Sequence, residues 1–169
     1  EQGNIHKAYR IAKIYEGAPW DSDARGPLSQ PGIEIDEGDY ITHVNGVAIE
    51  TDKDPWAAFI GLTGRDTTIT VRSALAGDEE TVNEREYTIK PIGSEFDLRY
   101  RDWVEDNRRY VEEASSGKVG YIHVPNTGVQ GQNELFRQFY GQMGKDALIV
   151  DERWNGGGQI PNRFIELLD

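Results

Sequence analysis

Asn155-Gly156-Gly157-Gly158 is the stretch of this 169-residue chain whose residue types and placement most suggest chemistry. It follows a short apolar run, Ala147–Val150, and precedes an amphipathic segment, Ile160–Leu168, which puts it at a strand-to-helix turn. Three glycines there leave backbone N–H groups unobstructed at a positive helix end, a ready anion site. Phosphate is one such anion, but the Gly-x-Gly-x-x-Gly spacing is missing and no Gly-Lys-Ser/Thr follows. The oxyanion that develops in acyl transfer is another. A tight turn with no chemistry also accounts for the glycines, and on spacing alone it is the leading reading.

Side chains that could act as nucleophiles or bases are scattered. Ser22, Ser29, Ser73, Ser94, Ser115 and Ser116 fall in expected loops, a strand or a helix end, and no Gly-x-Ser-x-Gly elbow occurs. They read as surface serines, although a triad is assembled in space rather than in sequence. Of the histidines His6, His43 and His123, the last lies in an apolar strand and reads as a satisfied core residue. The acid clusters Asp36-Glu37-Gly38-Asp39 and Asp52-Lys53-Asp54 lack the spaced oxygens and closing glutamate of a calcium loop. They read as solvated turns, as does the pair Asp21/Asp23. No His-x-x-x-His pair offers a zinc site, and no metal or cofactor is expected.

Composition narrows the classes further. Thirty acidic against eighteen basic residues give a formal net charge of −12, which argues against nucleic acid and against an anionic membrane surface. No apolar run approaches the ~20 residues that span a bilayer. No charged-then-apolar leader opens the chain, so a secretion signal is expected to be absent or removed. The absence of cysteine excludes disulfides and thiolate metal sites. With 37% apolar residues the chain can still build a core.

The elements that must position the glycine turn come in two styles. The first ninety residues read as short strands and turns: Tyr9–Tyr15, a loop over 20–31, Tyr40–Val44 closed by Asn45-Gly46, then Thr67–Ser73 and Arg85–Ile92 joined by an acidic turn at Gly77–Glu80. Asp54-Pro55 starts a short helix, Pro55–Leu62, with the acid as its cap. Past residues 91–97 helix and strand alternate. A helix through Leu98, Trp103, Val104, Tyr110, Val111 and Ala114 is expected to end at Gly117, followed by a strand at Val119–Val124. A helix through Leu135, Phe136, Phe139, Tyr140 and Met143, the strand Ala147–Val150 and the helix Ile160–Leu168 complete an α/β pattern.

Two stretches carry a family resemblance. Gly32-Ile33, Glu37-Gly38-Asp39-Tyr40-Ile41 and Val44-Asn45-Gly46-Val47-Ala48-Ile49 resemble the central signature of a PDZ domain, in which a strand edge beside a helix accepts an extended peptide. Arg99–Val111 resembles the segment after the PDZ domain in tricorn-type serine peptidases. The resemblance continues through Gly120–Pro125, Ala147–Asp151 and Asn155–Gly158, and Glu152 departs from the small apolar residue usual there.

The resemblance implies an α+β chain. Residues 1–93 would be a PDZ-like β-barrel lobe, and 94–169 the N-terminal part of an α/β protease domain related to carboxyl-terminal processing peptidases. It implies a piece of a peptidase that degrades oligopeptides, cytoplasmic and homo-oligomeric, joined to the remainder of the parent polypeptide. The general-base histidine would lie before this segment and the nucleophilic serine after it, so the chain alone is expected to be inactive. The PDZ groove strand is expected to be truncated ahead of Tyr9, which would weaken peptide binding. The family places an oxyanion donor in the matching glycine turn: Gly157 is the first choice and Gly158 the second. A non-catalytic PDZ scaffold module is the alternative, and a carboxyl-terminal processing peptidase a third reading.

Overall fold

The computed structural model describes residues 8–18, 24–73, 83–159 and 162–168. His6, Ser22, the pair Asp21/Asp23, the turn Gly77–Glu80 and Ile160 lie outside the described residues. The chain divides into two compact units, Glu1–Arg101 and Asp102–Asp169.

Runs of Thr, Val and Ile with two-residue alternation build the sheet of the first unit. Its strands are β1 (Tyr9–Arg10), β2 (Tyr40–Val44), β3 (Val47–Ala48), β4 (Thr67–Arg72) and β5 (Glu84–Ile89), in the order β1-β2-β4-β5 with β3 on β2. All pairings are antiparallel, and β4 and β5 run in unbroken register from Thr67 opposite Ile89 to Arg72 opposite Glu84. Ile69 and Val71 point into a core shared with Ile11, Ile35, Val44, Ile49 and Ile89. Asn45 and Gly46 both have positive φ (50° and 74°), the two-residue hairpin geometry this dipeptide favours. The Asn45 side chain also takes the Thr68 N–H at 3.0 Å, fixing the hairpin to β4.

Two elements are shorter than their sequences suggest. Only Tyr9–Arg10 of the expected Tyr9–Tyr15 strand joins the sheet. Ile11 still exchanges 2.8 Å bonds with the backbone of Gly38 and Asp39, but the Ile14 N–H turns to the Glu37 carboxylate at 2.9 Å. The expected helix Pro55–Leu62 is a 3-10 helix over Pro55–Phe59, capped as expected by Asp54, whose Oδ1 accepts the Trp56 N–H at 2.8 Å. Ile60, which would extend it, is 80% exposed, so no burial supports another turn.

Helix α1 (Phe96–Ala114) runs from the first unit into the second. Its end is a two-bond lock, Ser116 N–H to Glu113 O at 3.1 Å and Gly117 N–H to Glu112 O at 2.7 Å. Ser116 (φ 55°) therefore takes the left-handed position nearest the helix, with Gly117 (φ 78°) one residue beyond. The second unit continues with β6 (Val119–His123), α2 (Val129–Tyr140), β7 (Ala147–Asp151) and α3 (Asn162–Leu168). β6 and β7 pair in parallel, Val119 opposite Ala147 through His123 opposite Asp151. This sheet shares no strand with the first. Ile122, Val124 and Leu135 are its buried centre, with Leu148, Val150 and Leu167 against them.

In the first unit a buried ion pair supports the corner before β2. Asp39, 4% exposed, meets Arg85 at 2.7 Å, and Arg85 also reaches Glu34 O and Ser73 Oγ. Asp39→Ala should destabilise the protein by about 3 kcal/mol, because it strands a partly buried guanidinium. Urea denaturation gives the number.

Candidate functional site

The glycine turn hangs from a corner built at the end of β7. Asp151, the last strand residue, turns its carboxylate into the second unit and gathers four donors there. Arg153 offers its backbone N–H at 2.9 Å, Nε at 2.8 and 3.0 Å and a terminal nitrogen at 2.5 Å, and the Tyr121 hydroxyl adds a bond of 2.6 Å. Tyr121 and His123 stand two residues apart on β6, so they share one face. His123 Nε2–H donates to Arg153 O at 2.9 Å, which fixes both the tautomer and the carbonyl. The Arg153 guanidinium lies 4.8 Å from the Trp103 ring of α1 and 5.9 Å from Trp154. Trp103 in turn meets the His123 ring edge-on at 5.0 Å and Trp154 at 4.9 Å. Trp154 itself is held at φ 61°, a conformation that costs a bulky residue energy and so needs support from its surroundings.

From this corner the turn is pinned one residue at a time. Asn155 N–H bonds Glu152 O at 2.9 Å, Asn155 Nδ2 bonds Val124 O at 3.3 Å, and Gly156 N–H bonds Pro125 O at 3.2 Å. Gly157 N–H donates to the Asn155 side chain at 2.7 Å, while Gly157 O accepts from Thr127 N–H at 3.0 Å. Gly158 N–H has no acceptor among the described residues. Gly158 also sits at φ 155°, and a Cβ there would fall 2.3 Å from Thr127 C and 2.4 Å from Gly128 N, so no other residue fits.

That close approach seats the turn against the start of α2, where Asn126 Oδ1 takes the N–H groups of Gly128 and Gly131 at 3.0 Å each. The sequence expectation put the positive helix end after the turn, at Ile160. The described helix there begins at Asn162 and has seven residues, while the twelve-residue α2 begins beside Gly158. Tyr121, Asp151 and Trp103 enter the sequence reading only as strand or helix residues, and none of them, nor Arg153, as part of a site. The available signal was Tyr121 and His123 at alternate positions of an otherwise apolar strand; no such pattern marks Asp151, Arg153 or Trp103.

The charges follow from the contacts. Hydrogen bonding by Arg153 holds the Asp151 carboxyl well below the usual carboxylate range, although burial pushes the other way. Burial, and then the adjacent carboxylate, push the Tyr121 phenol above its ordinary value. The same carboxylate raises the Arg153 guanidinium further.

The other expected residues do structural work. Ser73 accepts from Arg85, Ser94 Oγ takes the Phe96 N–H at 3.1 Å, and Ser115 Oγ takes the Val119 N–H at 3.0 Å. His43 lies on β2 in the first unit, half-buried. Among the described residues no three of His, Asp and Glu gather as a metal site, and no helix is long and apolar enough to cross a membrane. The first unit also holds a groove of about 670 Å³, lined by Tyr9, Ile11, Ile14, Trp56, Phe59 and Phe96, with Arg10, Lys13 and Arg99 also along it.

Residues 2–94 match the model of the tricorn protease PDZ domain. The chain belongs to the tricorn protease PDZ-domain family. Likeness to tricorn proteases extends beyond those residues. The chain is 34% identical over 161 residues to tricorn protease homolog 1 of Streptomyces coelicolor, covering 95% of this chain and 15% of that protein. It is 36% identical over 168 residues to a putative tricorn-like protease C-terminal subunit of Sulfurisphaera tokodaii, covering 99% and 18%. A crystal structure of the tricorn protease superposes with a TM-score of 0.82 at 32% identity, over 95% of this chain and 15% of that one. The chain thus spans less than a fifth of the length of the tricorn relatives it matches.

Because the folded carboxyl of Asp151 titrates lower than an unfolded aspartate, its stabilisation is present above about pH 4 and is lost as pH falls toward its folded value. The urea midpoint of the protein should therefore drop between pH 5 and pH 3, and Asp151→Asn should flatten part of that drop while lowering the midpoint at pH 7.

Proposed function

We propose that this chain is part of a tricorn-type serine peptidase that degrades oligopeptides. Residues 1–93 are its PDZ domain and 94–169 the opening of its α/β protease domain. The match of relatives through both units, in one order, supports this reading. The single observation that carries the chemistry is the N–H of the exposed Gly158, without an acceptor among the described residues, in a turn whose other glycine amides are occupied. Such a donor can hold a tetrahedral oxyanion. Gly157, the first choice on the sequence, is the second donor in this reading, because Asn155 Oδ1 already holds its N–H. The general base and the nucleophilic serine come from other parts of the parent, which the family resemblance casts as a cytoplasmic homo-oligomer.

The groove of the first unit supports a role in holding peptide. Apolar side chains face it, and three cations along it suit a peptide carboxylate. That groove also favours the second reading, a PDZ module that binds peptide and catalyses nothing.

Peptide hydrolysis by the longer protein separates the two readings. In that protein amide-to-ester replacement at Gly157 or at Gly158 deletes one N–H at a time and keeps the glycine, which the φ of 81° at Gly157 requires. Loss of a working donor costs about 10²–10³ in kcat. The ester at Gly158 should show that loss and the ester at Gly157 a smaller one, with folding checked by circular dichroism. Equal, near-wild-type turnover in both would remove the turn from the chemistry. For the groove, titration of the chain with a peptide ending in an apolar residue should shift NMR resonances at Tyr9–Ile14 and Trp56–Phe59. Shifts confined to the second unit would refute peptide binding there.

A further inference from the structure

Arg153 stands three residues before the first turn glycine, its side chain half-exposed but tied at several points. Its Nε and one terminal nitrogen fork onto Asp151, its guanidinium carbon lies 4.8 Å from the Trp103 ring centre, its carbonyl is tied by His123 and its N–H by Asp151. A surface arginine that only balanced charge would need one of these contacts. Together they fix both peptide groups flanking residue 153 and support the strained Trp154 that leads into Asn155. Asn155 then sets Gly157 through its side chain and the Val124 carbonyl, and Gly157 O sets the spacing to Thr127.

We propose that Arg153 is a positioning residue for the oxyanion turn, clamped by Asp151, Tyr121 and Trp103 so that the Gly158 N–H keeps a fixed direction. The inference rests on the peptidase reading for its catalytic consequence but not for its structural one. Lysine cannot replace the arginine, because an ammonium offers neither the planar fork nor a stacking face. Displacing a reacting donor by about 1 Å can cost roughly 10²-fold in rate.

Two arms test this. In the longer protein, Arg153→Lys should lower kcat about ten- to hundred-fold with KM within about twofold. The Ki of a peptide boronate, which turns tetrahedral on the nucleophile, should rise by the same factor. In the 169-residue chain itself, the same variant should speed amide exchange at Asn155–Gly157, whose N–H groups are hydrogen-bonded, while β6, β7 and α2 keep their protection. Tyr121→Phe, which removes only a hydroxyl, should move both readouts in the same direction by less, and it keeps the test open should Arg153→Lys fold poorly. Wild-type kcat in the lysine variant, or exchange that quickens evenly across 102–169, would show Arg153 to be an ordinary stabilising residue. If the wild-type longer protein hydrolyses no peptide, the peptidase reading falls, and the exchange arm alone still decides the clamp.

Discussion

The carboxylate of Asp151 is the point on which the second unit turns. It is 8% exposed, in a chain whose net charge of −12 already disfavours a further buried anion. Removing such a group from water costs several kcal/mol unless its oxygens are met by donors. Arg153 and Tyr121 supply those donors, and in doing so both lose their freedom. The guanidinium is drawn over Trp103 at 4.8 Å, the phenol is held at the sheet, and the backbone of Arg153 is tied at its N–H and its carbonyl. A glycine turn alone would be the loosest part of this unit, since glycine restricts its own backbone least.

The first unit solves a related problem with the same pair of residue types. Asp39 lies deeper than Asp151, and it too takes a backbone N–H from its own corner, that of Asp36 at 3.2 Å, before meeting an arginine. There the arginine comes from β5, far along the chain, so the pair joins strands. At Asp151 it comes from two residues on, so the pair bends one strand end into a turn. Sequence separation thus decides whether an Asp–Arg pair acts as a brace across a sheet or as a hinge pin at its edge.

Much of this was legible in the residues. The two styles of element order, the Asn45-Gly46 hairpin, the Asp54 cap and the strands β4, β6 and β7 follow from short-range preferences that the tertiary structure reinforces. The glycine turn was legible as a feature, because three consecutive glycines have few other uses between strand and helix. Its seat was not. Nothing in Asn126-Thr127-Gly128 announces that α2 would begin against Gly158, because that contact joins segments thirty residues apart and depends on parallel pairing of β6 with β7. The extended run after Arg10 misled for the opposite reason. Its β-forming residues state a preference, but ladder partners decide whether a strand forms, and Glu37 captures the Ile14 amide instead. Arg153 was invisible as more than a charge because its role lies wholly in what surrounds it.

Gln138 of α2 makes a contact of a different kind. Its side-chain amide bonds the backbone of His123 twice, Nε2 to the carbonyl at 3.0 Å and Oε1 from the N–H at 3.1 Å. A primary amide is the chemical image of a peptide group, so at this residue β6 meets a one-residue imitation of a neighbouring strand. An extended segment from another molecule that tried to dock alongside β6 at His123 would find both groups taken. The same unit leaves β7 without such a cover among the described residues, with Ile149 44% exposed. Among the described residues the two edges of the sheet therefore differ: the backbone of His123 on β6 is taken by a side chain, and that of β7 carries no such cover.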